Sequence, residues 1–176
     1  MNYLVVVDVQ NDFLEGGALP VKGGREVAAN IADLIKNSTS YDKIYFTRDC
    51  HPKNHCSFKE FGGKWPAHCI EGTEGSEIEK NLKDAAVKSG LPFFVLGKGS
   101  FPDIEEYGAI MEFNDGDLAD VVGLALDYCV VETAKNIKKH SAKNTCVRIL
   151  TNYTAAIDGL SEKTLEDLKD IGVDVE

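Results

Sequence analysis

Short apolar runs that alternate with helical segments constrain the fold of this chain more than any other feature. The runs cover residues 3–9, 43–47, 92–96, 119–126 and 145–150, with a shorter one at 173–175. Runs of this kind are typical of strands buried on both faces of a parallel sheet. The alternation therefore predicts an α/β fold, a three-layer α/β/α domain around a central, mostly parallel sheet of about six strands.

Apolar residues between these runs recur at helical spacing. They predict helices at about residues 27–37, 76–90, 129–137 and 161–172. We expect Ser76 to cap the second helix, because Ser76 and Glu79 have the spacing of a capping box, and Ser161 to cap the last. The sequence of residues 101–116 is ambiguous and favours at most a short helix over residues 107–113.

Composition limits the partners and the compartment. A chain of 176 residues can form one domain over 1–176, and its net charge of −10 argues against nucleic acid and anionic membranes as partners. No apolar run approaches the ~20 residues that a membrane span needs. The five cysteines include no Cys-x-x-Cys pair, and no export signal precedes the first strand. We therefore expect free thiols in a reducing cytoplasm.

Four chemically useful side chains follow predicted strands. Asp8, Asp49, Lys98 and Cys129 each stand where a strand ends, and the carboxyl ends of parallel strands share one edge of the sheet. A carboxylate could take the proton of the Cys129 thiol, while an ammonium and a helix N-terminus favour the thiolate. The alternative for Cys129 alone is a small buried apolar residue.

The segment of about residues 49–75 is long for a loop and is predicted to be functional. Asp49, His51, His55 and His68 lie within it, and three of the chain's four histidines are therefore in this segment. Carboxylate and imidazole ligands suit one divalent metal ion, with zinc favoured and iron or manganese as alternatives. Exposed loop histidines, or a zinc held by Cys50, Cys56 and Cys69, are alternatives ranked below this one.

The sequence resembles the nicotinamidases of the isochorismatase-like cysteine hydrolases. Five separate motifs carry the resemblance in the family's order, and they span most of the chain. They are Asp8-Val-Gln-Asn-Asp-Phe13, Thr47-Arg-Asp-Cys-His-Pro-Lys-Asn-His55 with Ser57-Phe58, Trp65-Pro-Ala-His-Cys-Ile70, Lys98-Gly99, and Gly123-Leu-Ala-Leu-Asp-Tyr-Cys-Val130.

The resemblance implies a Rossmann-like, isochorismatase-like fold and a role for each matching residue. Asp8, Lys98 and Cys129 correspond to the catalytic triad, and the backbone N–H groups of Ala125 and Cys129 to the oxyanion hole. A cis peptide between Leu124 and Ala125 is expected. The remaining residues are substrate-binding residues (Phe13, Trp65, Leu124, Ala125) and metal ligands (Asp49, His51, His55, His68).

The implied activity is hydrolysis of the carboxamide of nicotinamide through a cysteine thioester, with a metal beside the pocket and a role in NAD salvage. Amidases that act on carbamoyl or ureido compounds are the alternative, although they lack the histidine cluster. A non-catalytic metal or nicotinamide binder is a further alternative. The segment between Lys98 and Cys129 is short for the family, in which this segment covers the pocket and makes subunit contacts. Tyr107 is a candidate for the outer wall of the pocket. The resemblance also allows a homo-oligomer.

Overall fold

The computed structural model describes all 176 residues and contains one six-stranded sheet. The strands are β1 (Asn2–Val7), β2 (Lys43–Asp49), β3 (Phe93–Lys98), β4 (Leu118–Leu124), β5 (Cys146–Ala155) and β6 (Val173–Val175). All neighbouring pairs are parallel, in the order β3-β2-β1-β4-β5-β6. The predicted α/β architecture with about six strands is confirmed.

Helices cover both faces of the sheet. They are α1 (Gly24–Asn37), α2 (Lys80–Ser89), α3 (Val131–His140) and α4 (Glu162–Asp170). Leu4 and Val6 of β1 belong to the apolar cluster that α1 and α2 complete, whereas Val5 and Val7 belong to the cluster completed by α3 and α4. Burial on both faces explains why the strands are continuous apolar runs. None of the helices is long and apolar enough to cross a membrane.

Two local predictions concern helix N-termini, and one of them is wrong. Ser161 is the N-cap of α4, and its Oγ accepts the N–H of Thr164 at 3.1 Å. Ser76, in contrast, ends a 3₁₀ turn and donates its hydroxyl to a backbone carbonyl. The N-cap of α2 is Glu79, because its carboxylate accepts the N–H of Leu82 at 3.1 Å.

The predicted helix over 107–113 is also absent, and the crossover from β3 to β4 contains no helix. Ala109, Met111 and Phe113 are buried, while Ile110 and Glu112 between them are exposed. This alternation belongs to an extended chain.

Gly108 fixes the start of that extended stretch against α3. A side chain there is excluded, because a Cβ would lie 2.5 Å from the backbone of Glu132. Asn136 of the same helix donates to the Gly108 carbonyl at 3.0 Å.

The register of the strands determines where the functional site forms. Val7 of β1 pairs with Thr47 of β2 and with Gly123 of β4, and Asp49 of β2 pairs with Lys98 of β3. The polar residues that follow these strands therefore meet at one edge of the sheet. The segment between β2 and α2, which forms the rim of this edge, contains only two short 3₁₀ turns, Lys59–Phe61 and Glu74–Ser76.

Candidate active site

The Lys98 ammonium lies at the centre of the strand ends and is almost completely buried. Its Nζ is 2.5 Å from Asp49 Oδ1, 2.8 Å from Asp8 Oδ2 and 3.7 Å from Cys129 Sγ. Burial disfavours the cation, but the carboxylates of Asp49 and Asp8 hold the pKa of Lys98 well above its usual range. The structure thus brings together the four strand-end residues that the sequence singled out.

One carboxylate oxygen of Asp8 accepts a hydrogen bond, and the other accepts none. Its Oδ1 accepts the hydroxyl hydrogen of Thr47 at 2.6 Å. Oδ2 is close to the Lys98 ammonium, but it has no aligned hydrogen-bond donor and is fully buried. Burial raises the pKa of Asp8, Lys98 opposes this, and the Asp49 charge adds to it. A buried carboxylate with a free oxygen and a raised pKa is suited to accept a proton.

The Cys129 thiol is also buried at this edge of the sheet. Burial raises the pKa of Cys129 well above its usual value, the Lys98 ammonium opposes this rise, and the negative charges of Asp8 and Asp49 add to it. The resting thiol is therefore protonated at neutral pH. A protonated thiol becomes a nucleophile only when a base removes its proton, and a carboxylate oxygen of Asp8 lies within 4.8 Å of the Cys129 sulfur.

A π-helical turn, Leu126–Val130, presents Cys129 directly after β4 and before α3. The Leu124–Ala125 peptide is cis, as the resemblance implied. The N–H groups of Tyr128 and Val130 both donate to the Ala125 carbonyl, whereas the Ala125 N–H donates to no group of the protein. An N–H without a partner beside a thiol is suited to bind a developing oxyanion.

A candidate metal site lies next to the Lys98 cluster, and Asp49 belongs to both. The side chains of Asp49, His51 and His68 each offer a ligand atom within 4.8 Å of the other two. His51 Nδ1 is bonded to the Gly99 carbonyl at 2.7 Å, and His68 Nδ1 to the Pro66 carbonyl at 2.8 Å. Because both Nδ1 atoms then carry the proton, the Nε2 lone pairs are left for a ligand. This donor set fits a divalent cation such as zinc.

His55 lies beside this group but outside it. Its Nδ1 is 2.7 Å from Ser57 Oγ, and its Nε2 is 3.1 Å from the Ile104 carbonyl. The ring lies against that of His51, with centroids 4.0 Å apart and ring planes tilted by 32°. Both ring nitrogens of His55 are thus within hydrogen-bond distance of other protein atoms.

The group of Asp8, Asp49 and Cys129 also has metal-ligand spacing. The Lys98 ammonium already contacts all three of these residues, so there is no room in their midst for a second cation.

A pocket opens beside both groups. Of the predicted substrate-binding residues, Phe13, Trp65 and Ala125 line it, together with Cys129, Asp49, His51 and His68. Leu124 does not, because its side chain is fully buried in the core and reaches Gly24 of α1. Residues that the sequence analysis did not assign complete the wall: Leu19, Val21, Glu105, Glu106, Tyr128 and Ile157.

Tyr107 and Tyr128 form the outer part of the wall. The Trp65 Nε1–H donates to the Tyr107 hydroxyl at 3.1 Å, and the ring of Tyr128 lies edge-on to Trp65. The Tyr128 hydroxyl accepts from Lys64 and donates to Asp158 at 3.3 Å. The sequence analysis named Tyr107 as a candidate for this wall but did not name Tyr128. The contacts of Tyr128 join residues far apart in the chain, and no local sequence pattern indicates them.

Comparison with known proteins gives consistent matches. The model of the isochorismatase domain family matches residues 2–94. The chain is 31% identical to the nicotinamidase/pyrazinamidase of Mycobacterium tuberculosis, over 99% of this chain and 98% of that protein.

Two solved structures are similar over nearly their whole length. The pyrazinamidase of Pyrococcus horikoshii in complex with zinc is 31% identical, with a TM-score of 0.79 and coverage of 99% of this chain and 98% of that chain. The yeast nicotinamidase Pnc1p bound to the inhibitor nicotinaldehyde is 28% identical, with a TM-score of 0.83 and coverage of 99% of both chains.

The opposite pKa shifts of the two carboxylates that contact Lys98 predict opposite effects of their amide variants on stability. Asp8 has a raised pKa in the folded protein, so its ionised form lowers the free energy of unfolding at pH 7. Asp49 has a lowered pKa because Lys98 and His51 outweigh its burial, so its ionised form is stabilising. We expect Asp8→Asn to leave the free energy of unfolding unchanged or higher, and Asp49→Asn to lower it by about 3 kcal/mol.

Urea unfolding of the chelator-treated wild type and variants measures the change in the free energy of unfolding caused by each substitution. As the pH falls towards ~4, where an unfolded Asp titrates, Asp8 of the wild type takes up a proton in the folded state. The difference between wild type and Asp8→Asn should then shrink. An Asp8→Asn variant that is destabilised as much as Asp49→Asn would contradict this account of the two charges.

Proposed function

The chain belongs to the isochorismatase domain family, and we propose that it hydrolyses nicotinamide to nicotinic acid and ammonia. The observation that carries the proposal is the contact of one buried ammonium, that of Lys98, with Asp8, Asp49 and Cys129. The relatives support the substrate, since both curated and solved proteins similar to the whole chain are nicotinamidases or pyrazinamidases. We further propose that residues 1–176 form one hydrolase domain.

The reaction begins with proton transfer from the Cys129 thiol to Asp8. The thiolate then forms a bond to the carboxamide carbon, and the carbonyl oxygen becomes an oxyanion near the N–H groups of Ala125 and Cys129. The Lys98 ammonium, 3.7 Å from the sulfur, favours the anionic thiolate.

The tetrahedral intermediate formed in this way then collapses, and its carbon–nitrogen bond breaks. Asp8 gives its proton to the leaving amine, so ammonia departs and nicotinoyl remains as a thioester on Cys129. Asp8, again ionised, accepts a proton from water as the water attacks the thioester. Nicotinic acid is released, and the proton returns to the sulfur.

Phe13 and Trp65 are proposed to hold the pyridine ring, since both rings line the pocket. Asp49, His51 and His68 would hold a divalent metal ion, with zinc favoured, and His55 would support His51. When bound, such an ion supplies a Lewis acid next to the pocket. The zinc complex of the Pyrococcus horikoshii relative supports this assignment.

The proposal also extends to the setting of the enzyme. A cysteine nucleophile needs a free thiol, and all five cysteines are unpaired, which suits a cytoplasmic enzyme of NAD salvage.

A homo-oligomer is proposed as well. Phe93, Phe94 and Val95 on the edge strand β3 are 38–48% exposed, and an edge strand can pair with its copy across a two-fold axis. Sedimentation equilibrium that shows only monomers would exclude it.

Ammonia release from nicotinamide by the purified protein tests the function. We expect turnover that falls after treatment with a chelator and returns on addition of a divalent metal, while Cys129→Ala shows none. Absence of ammonia release with every metal tried would contradict the proposal. Carbamoyl and ureido amides are assayed in parallel, because release from these alone would favour the related amidase.

Metal content of histidine variants separates the proposed ligands from their neighbours. The dissociation constant for the metal should rise at least about tenfold in His68→Ala relative to wild type. In His55→Ala it should rise less than in His68→Ala. His140→Ala, at an exposed helix end, is the matched control. Equal loss from His55→Ala and His68→Ala would instead favour four direct ligands.

A further inference from the structure

Trp65 is the only tryptophan of the chain, and its ring orientation depends on contacts from another segment. Its backbone is fixed locally, because its N–H donates to the Ser57 carbonyl and its carbonyl accepts from Lys59. These bonds leave the side-chain torsions free. The one hydrogen bond that the indole makes is from Nε1–H to the Tyr107 hydroxyl, at 3.1 Å.

Tyr107 is itself held on both sides. The carboxylate of Glu106 accepts the N–H of Gly99 at 2.8 Å, directly after β3. On the other side, Gly108 packs against the backbone of α3, and the Ala109 N–H donates to Thr133 Oγ1 at 3.2 Å. A helix-free segment is thus fixed at two points around Tyr107, so its hydroxyl is a stationary acceptor.

We propose that Tyr107 is a positioning residue for Trp65. Its hydroxyl fixes the indole in the orientation that faces the substrate ring, and so links the 49–75 segment to the β3–β4 crossover across the pocket. This inference rests on the proposed function only in naming the substrate ring. The hydrogen bond pre-organises the wall before substrate arrives, so its loss should weaken binding and leave the chemistry at Cys129 largely unaffected.

Tyr107→Phe tests the inference, because it removes the hydroxyl and keeps the ring. We expect the KM for nicotinamide to rise about three- to tenfold, the range that loss of one buried hydrogen bond gives, with kcat within about twofold. The matched control is Tyr153→Phe, which removes a hydroxyl from a half-buried tyrosine of β5 that does not line the pocket.

A spectroscopic readout reports on the same bond without turnover. A single tryptophan gives a single indole ¹H–¹⁵N signal, and this signal should move upfield in Tyr107→Phe and stay in place in Tyr153→Phe. If wild type does not hydrolyse nicotinamide, the proposed function fails, whereas the indole signal still tests the contact between Tyr107 and Trp65.

A double-mutant cycle separates positioning from general damage to the wall. Trp65→Phe keeps an aromatic ring but lacks the N–H donor, so Tyr107→Phe should have little further effect on KM in that background. An unchanged KM in Tyr107→Phe, a fall in kcat alone, an unshifted indole signal, or full additivity of the two changes would each overturn the inference.

Discussion

The buried ammonium of Lys98 is the interaction on which the site depends. It contacts the proposed base, the proposed nucleophile and a carboxylate of the proposed metal group, all at the edge of one sheet. A buried cation requires compensating charge, and here two carboxylates supply it. Asp8 is left with a raised pKa and Asp49 with a lowered one, so one residue is suited to exchange a proton and the other to remain an anion.

The parallel sheet explains how residues so far apart in sequence come to share one ammonium. Each strand leads its polar end residue to the same edge, and the β2–β3 register sets Asp49 beside Lys98. The close approach of β1 and β4 adds to this, since a Cβ on Gly123 would lie 2.1 Å from the Val7 carbonyl oxygen. The rim then arises from segments without regular structure, which are held by contacts with one another.

The sequence predicted the sheet and the strand-end residues because both follow from local patterns: apolar runs and the polar residues that end them. It failed where two local signals compete. Ser76 and Glu79 have the spacing of a capping box, but in the structure the Glu79 carboxylate accepts the N–H of Leu82 in α2. Apolar residues between 107 and 113 have spacings that fit a short helix or an extended chain, and in the structure Gly108 packs closely against the backbone of Glu132 in α3 at the start of an extended stretch. The roles of Tyr128 and Glu105 in the wall had no local signal, since they depend on how distant segments meet.

Capture of the acyl-enzyme tests the central claim most directly. Wild-type protein is mixed with nicotinamide and quenched in acid during the first turnover. The protein is then digested, and the masses of its peptides are measured by mass spectrometry. The account predicts a peptide with one nicotinoyl group on Cys129, absent from Cys129→Ala. Ammonia release by Cys129→Ala, or turnover during which Cys129 stays unmodified at every quench time, would contradict it.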